Sequence, residues 1–185
     1  MMKSAVTEKQ FYERKNICFF GNFLHRPNVD AVNFFASEIF PSLKKKIPDI
    51  QFHIYGSGSY IEELGHHSNV TLHGHVSVEH AFSETDVHVL IVESTGSWGR
   101  VINEAGLFSI PTVSCSIGSQ PEAVGKGGII LQDHHNLQSF EQALRDCWSD
   151  RHHLGELANK HSGVTDHRRS IAIFRSLLED IVSET

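Results

Sequence analysis

The sequence predicts an α/β fold: a Rossmann-like three-layer sandwich around a parallel six-stranded sheet. Short apolar segments, most of them ending at or near Gly, alternate with stretches of helical period, the pattern of β-strands joined by crossover helices. The chain has 185 residues, enough to bury one ordinary core. Six strands in strict alternation, joined by right-handed crossovers, leave few topologies, and the order 3-2-1-4-5-6 is expected.

Ile17 to Gly21 reads as a buried first strand. Val29, Val32, Phe34, Phe35 and Ile39 follow at close to helical spacing, and Pro41 breaks or restarts that helix before Lys44 to Lys46, a solvated basic end. Ile50 to Tyr55 forms the second strand, ending at Gly56-Ser57-Gly58, and Tyr60 to Leu64 a short helix. Val70 to His73 is the third strand and Val78 to Glu84 the next helix. Val87 to Val92 is the fourth and most apolar strand, followed by a helix over Gly99 to Phe108. Pro111 to Ser114 and Gly128 to Leu131 supply the fifth and sixth strands. Helices over Asn136 to Trp148, His152 to Lys160 and Ser170 to Val182 close the chain. Phe19, Phe20, Phe34 and Phe35 are expected in the core.

Composition excludes several classes. Lys and Arg total 16 against 22 Asp and Glu, a formal charge of −6, so no cationic field draws nucleic acid or anionic lipid. The apolar runs are far shorter than the ~20 residues of a membrane span, and Met1 to Asn16 shows no signal-peptide core. A cytoplasmic location is expected, with any membrane attachment supplied by a partner. Cys18, Cys115 and Cys147 are odd in number and widely spaced, against a disulfide framework or a structural zinc site, and Cys18 and Cys115 read as core residues. His is frequent, at 14 residues, including His66-His67, His134-His135 and His152-His153 doublets. His73 and His75 are placed on one strand face. No His cluster stands beside a Cys or a well-spaced carboxylate in the sequence, so no metal site is expected.

The expected order puts a topological switch point between the first and fourth strands, where residues 21–28 and 93–99 flank a crevice. The second loop, Glu93-Ser-Thr-Gly-Ser-Trp-Gly-Arg100, carries glycines and hydroxyls just before a helix, a natural seat for phosphate. His25 and Arg26 stand opposite, and Arg26 could meet the same anion. Turn-forming glycines and a solvated loop cation are the competing reading of these residues.

Ordered landmarks from Ile17 to Trp148 carry a resemblance: Phe20-Gly21, Arg26-Pro-Asn-Val-Asp30, Ile39-Phe-Pro41, Pro48-Asp49, Ile54-Tyr-Gly56-Ser-Gly58, Leu72-His-Gly74-His-Val76, Asp86-Val87, Gly99 through Asn103-Glu104-Ala105, Ile110-Pro-Thr-Val113 and Pro121-Glu122. In this order and spacing they resemble the C-terminal, donor-binding half of the group 1 GT-B glycosyltransferases. The resemblance implies a domain over residues 17–165 that binds a nucleoside-diphosphate sugar, preceded by a linker-like segment, 1–16, and followed by a C-terminal helix, 166–185. It implies that Gly21, Asn22, Arg26, Gly96, Ser97, Trp98, Gly99 and Arg100 line the donor site, with Ser97, Trp98 and Gly99 in the phosphate loop and Arg26 and Arg100 as the candidates to meet the diphosphate charge, that Glu104 bonds the ribose, and that His75 and Val76 meet the base. Neither metal nor other cofactor is implied. Two departures stand out: Gly96 occupies the position, eight before Glu104, where many members have a Glu that touches the sugar, and Asn22 replaces an Arg. The implied activity is retaining, hexosyl-type transfer in polysaccharide or glycolipid assembly, requiring an acceptor-binding domain or subunit. A noncatalytic nucleotide-sugar-binding or interaction module is the alternative.

Overall fold

A computed structural model describes residues 15–93, 99–164 and 175–176. Its sheet has six strands, all parallel, in the order expected from the sequence, β3-β2-β1-β4-β5-β6. The strands are β1 (Asn16–Asn22), β2 (Gln51–Ser57), β3 (Val70–Gly74), β4 (Val87–Leu90), β5 (Thr112–Cys115) and β6 (Gly128–Leu131). Between and after them run α1 (Arg26–Phe34), α2 (Phe40–Lys46), α3 (Val78–Ser83), α4 (Arg100–Leu107), α5 (Gln120–Val124), α6 (Leu137–Ser149) and α7 (Arg151–Val164). The segment expected to be a terminal helix, 170–182, lies almost wholly outside the described residues. Among the described residues no helix is long and apolar enough to cross a membrane.

Strand alternation sorts side chains into two layers. Ile17 and Phe19 of β1, Phe52 and Ile54 of β2, and Val87 and Val89 of β4 join one core cluster with Val32, Phe35, Phe40, Phe140 and Leu144 from the helices. Phe35 packs against Phe52 with ring centroids 4.6 Å apart and against Phe140 at 5.7 Å. Cys18 and Tyr55, on the opposite pleat, pack with Ala81 and Phe82 of α3 and with Ala105 and Ile110. Phe20 and Phe34, expected inside, are only half-buried, because each sits at the edge of its layer: Phe20 stacks on Tyr55 and Phe34 on Phe140.

Pro41 restarts the helix rather than ending it. A π-helical turn over Phe35–Ile39 separates α1 from α2, and the Phe40 N–H bonds the Phe35 carbonyl five residues back. The wide turn places Pro41 in the first turn of α2, where its missing N–H and fixed φ do no harm. Of the basic run ending α2, Lys44 donates to the Ile50 carbonyl at 2.8 Å and Lys46 pairs with Glu141 of α6. His73 and His75 do not share a face, contrary to expectation: β3 ends at Gly74, His73 stacks on Tyr55 at 4.6 Å, and His75 lies beyond the strand, exposed.

At the N-terminal edge of the sheet, fully buried Asp86 binds three segments. Its carboxylate accepts from the Asn16 N–H at 3.0 Å and from Arg151 Nε at 3.3 Å, while Arg151 lies over the Trp148 ring. Cys18, Cys115 and Cys147 are free and buried; burial pushes the Cys18 thiol up to about 12. Fully buried His88 reaches Thr112 Oγ1 through Nδ1 at 3.1 Å, and burial holds its pKa down at about 3.

Two stability predictions follow from these buried polar groups. Asp86→Ala removes one partner of a buried ion pair and leaves Arg151 Nε and the Asn16 amide without that acceptor, so urea unfolding is expected to show a loss of about 3 kcal/mol or more; a loss within error of zero contradicts this. His88 is neutral in the folded chain and protonates near its ordinary 6.5 when unfolded. The unfolded state therefore binds the extra proton below pH 6.5, and His88 contributes stability that is full above that pH and falls at up to about 1.4 kcal/mol per pH unit toward pH 3. His88→Gln is expected to flatten that part of the profile, and an unchanged slope rules His88 out as its source.

Candidate functional site

The carboxyl ends of β1 and β4, adjacent in the sheet but followed by connections that leave in opposite directions, open the crevice at the switch point. At its β1 rim the turns that follow β1 and β2 are packed onto one another. Gly56, at φ +135°, lies so close to β1 that a Cβ there would fall 1.8 Å from the Gly21 carbonyl oxygen. The Phe23 N–H donates to Ser57 O at 2.9 Å. Asn22 is turned into this loop: its Oδ1 accepts from Leu24 N at 3.0 Å, and its carbonyl accepts from Asn28 Nδ2 at 2.8 Å. A Cβ on Gly21 would meet side chains, Phe19 Cε1 at 2.7 Å and Asn28 Nδ2 at 3.1 Å, so the tightest backbone approach falls on Gly56 rather than on Gly21.

Arg26, expected to face an anion in the crevice, sits at the start of α1 with its guanidinium on acidic side chains. Nη1 donates to Glu63 at 2.7 Å, Nε to Asp30 at 3.2 Å, and the group lies over the Tyr60 ring at 5.7 Å. Asp30, four residues on, is within reach on one helix turn; Glu63, 37 residues away, becomes a neighbour only when β2 pairs with β1.

On the β4 rim, Gly96, Ser97 and Trp98 lie outside the described residues. Gly99 is the N-cap of α4 in the left-handed region, φ 70° and ψ 45°, and carries no side-chain acceptor to cap the helix. Arg100 begins α4 and is exposed; Glu104 follows one turn later and is half-buried. Burial raises the Glu104 pKa, the Arg100 charge pulls it back, and Glu79 of α3 raises it further. Asn103 Oδ1, in the same first turn, is buried with no hydrogen-bond partner among the described residues. Val76, like Phe20 and Val101, packs against the buried cluster around Tyr55 and Phe82, while His75 is exposed beside it. Asn22, Arg26, His75, Val76, Gly99, Arg100 and Glu104 thus all lie at or after the carboxyl ends of β1, β3 and β4.

A correction concerns the His doublets, which were expected to stand apart from carboxylates. The Nε2 atoms of His134 and His135, in the turn after β6, lie 2.9 and 2.8 Å from Glu93 Oε1 after β4. These bonds hold the Glu93 carboxyl below the usual carboxylate range. A cavity of about 300 Å³ adjoins them, lined also by Pro27, Ala31 and Phe34 of α1 and by Ile91. The signal was topological: in a parallel sheet every strand delivers its following residues to the same edge, so residues 41 positions apart meet there.

Comparison with solved structures finds this fold within glycosyltransferases. The chain is similar in fold to the pneumococcal O-GlcNAc transferase GtfA, solved with UDP and GlcNAc, at 15% identity and a TM-score of 0.72 over 91% of this chain and 36% of that one. TarM matches at 20% identity and 0.73 over 96% of this chain and 37% of its own. Anabaena HepE, in complex with UDP-glucose, matches at 16% identity and 0.68 over 97% of this chain and 54% of its own. The chain thus spans from about a third to about half the length of these proteins. No curated protein sequence matches it. Residues 14–150 match the pattern of the glycosyl transferases group 1, and with that match over most of its length the chain belongs to this family.

Proposed function

We propose that the chain is the donor-binding half of a retaining glycosyltransferase and holds a nucleoside-diphosphate sugar across the β1–β4 crevice. The observation that carries this reading is Glu104, a half-buried carboxylate one turn into a helix that starts at a left-handed, side-chain-free N-cap at the switch point. Such a helix start favours a diphosphate through its amides and dipole. In this arrangement residues 96–100 hold the diphosphate, Glu104 accepts from ribose hydroxyls, and the turn at His75-Val76 receives the base, with Gly21 and Asn22 closing the far rim. The neighbours solved with UDP or UDP-glucose support a uridine donor. WaaG, a similar fold involved in lipopolysaccharide biosynthesis, supports a role in glycolipid or polysaccharide assembly.

Transfer also needs an acceptor hydroxyl aligned with the anomeric carbon and shielded from water. We assign that task to an acceptor-binding domain or subunit outside these 185 residues. One feature favours a binding module without turnover: Gly96 in place of a sugar-contacting carboxylate.

Calorimetry with UDP, GDP and their sugars tests the reading, and no saturable binding by the folded chain at millimolar ligand would overturn it. Glu104→Ala is expected to weaken nucleotide binding by about 1–3 kcal/mol, the range for hydrogen bonds to a charged group. Because the Glu104 pKa is raised, binding by the parent is expected to decline with falling pH before an ordinary Glu would titrate, and Glu104→Gln should abolish that dependence.

Arg26 serves a diphosphate in this reading only by leaving Glu63 and Asp30. Glu63→Ala is therefore expected to raise affinity for UDP with little change for uridine, and Arg26→Ala to lower UDP affinity alone. Equal UDP binding by both variants and the parent assigns Arg26 to its ion pairs.

A further inference from the structure

Glu93, His134 and His135 present three donor atoms that all lie within 4.8 Å of one another. The set is two imidazole nitrogens and one carboxylate oxygen, the chemistry that suits a borderline divalent cation such as Zn²⁺. Both His Nε2 atoms already meet the same oxygen, at 2.9 and 2.8 Å. Tetrahedral zinc, with bonds of about 2.0–2.2 Å, separates its ligand atoms by roughly 3.3–3.6 Å. Seating an ion thus asks these contacts to widen by less than about 1 Å, and the imidazoles to carry their ring protons on Nδ1.

The donors are held before any ion arrives. Asp133 Oδ1 accepts from the His135 N–H at 3.0 Å, fixing the turn, and Asn136 caps α6 directly behind it. The His135 ring stands edge-on to Phe34 at 5.6 Å, and His134 is buried. Beside the cluster lies the cavity of about 300 Å³, room for a water or an anionic group at a fourth position.

We propose that Glu93, His134 and His135 form a binding site for a divalent cation of the Zn²⁺ type, with three protein ligands and a fourth position open to the cavity. None of these three residues is among the nucleotide contacts assigned above. A bound ion cross-links the segment after β4 to the β6–α6 turn.

The test titrates the full chain with Zn²⁺ against a chromogenic chelator near neutral pH, and with Co²⁺ to read coordination from its visible absorption. One saturable site per chain is expected, with the intense Co²⁺ bands of four-coordination. His135→Ala and Glu93→Gln, at exposed positions, are each expected to weaken binding by ~10-fold or more. The double variant His66→Ala/His67→Ala, which removes a doublet whose rings also lie together, is expected to bind as the parent does. Absent binding by the folded chain, affinity unchanged in both site variants, or affinity lost with His66 and His67 instead would each overturn the proposal. No nucleotide enters the titration, so its outcome is independent of the donor-site reading.

Discussion

One strand holds the molecule together. β1 is hydrogen-bonded along both edges, to β2 and to β4, and its side chains enter apolar layers on both faces. A strand in that position must be apolar at consecutive positions, as Ile17-Cys18-Phe19 is, and its backbone can be satisfied only by segments distant in the chain. Asp86 fastens its beginning and the Gly21–Gly56 approach its end. Between these two fixtures the carboxyl edge of the sheet becomes a rigid frame, against which the loops that carry chemistry are set.

Two carboxylates at the carboxyl edge of the sheet are driven in opposite directions by their surroundings. Glu104 loses water without gaining a dedicated donor in the described structure, and its proton is held more tightly. Glu93 is exposed but collects two imidazole donors, which favour its anion. Desolvation and hydrogen bonding thus give side chains of identical chemistry, on the same sheet edge, different capacities as acceptors. Arg26 belongs to the same balance, since its charge is committed to Glu63 and Asp30.

Strand order and most helices were readable from sequence because they depend on period and on the handedness of crossovers, both local in origin. The crevice position followed from the order. What local rules left open or out of reach was of two kinds. Pro41 reads by those rules as either a break or a restart, and the π-turn ahead of it decides for the restart by moving it to a harmless first-turn position, with Phe35 and Phe40 packed on Phe52. The pairing of Glu63 with Arg26, and of Glu93 with the His134-His135 doublet, exists only after strands have been brought side by side. Glu104 and Gly99 lie close in sequence and could be matched to a motif; cross-strand partners such as Glu93 and His135 leave no spacing to match.

The three cysteines carry a practical corollary. Each is buried and burial disfavours each thiolate, so folded molecules shelter their sulfur from alkylating reagents and oxidants. Reaction must wait until the surrounding layer parts. Cys18 lies in the central strand, Cys115 at the end of β5 and Cys147 in α6. Labelling followed residue by residue therefore times the opening of three regions of the chain, and the unmodified protein already contains its own set of clocks for local unfolding.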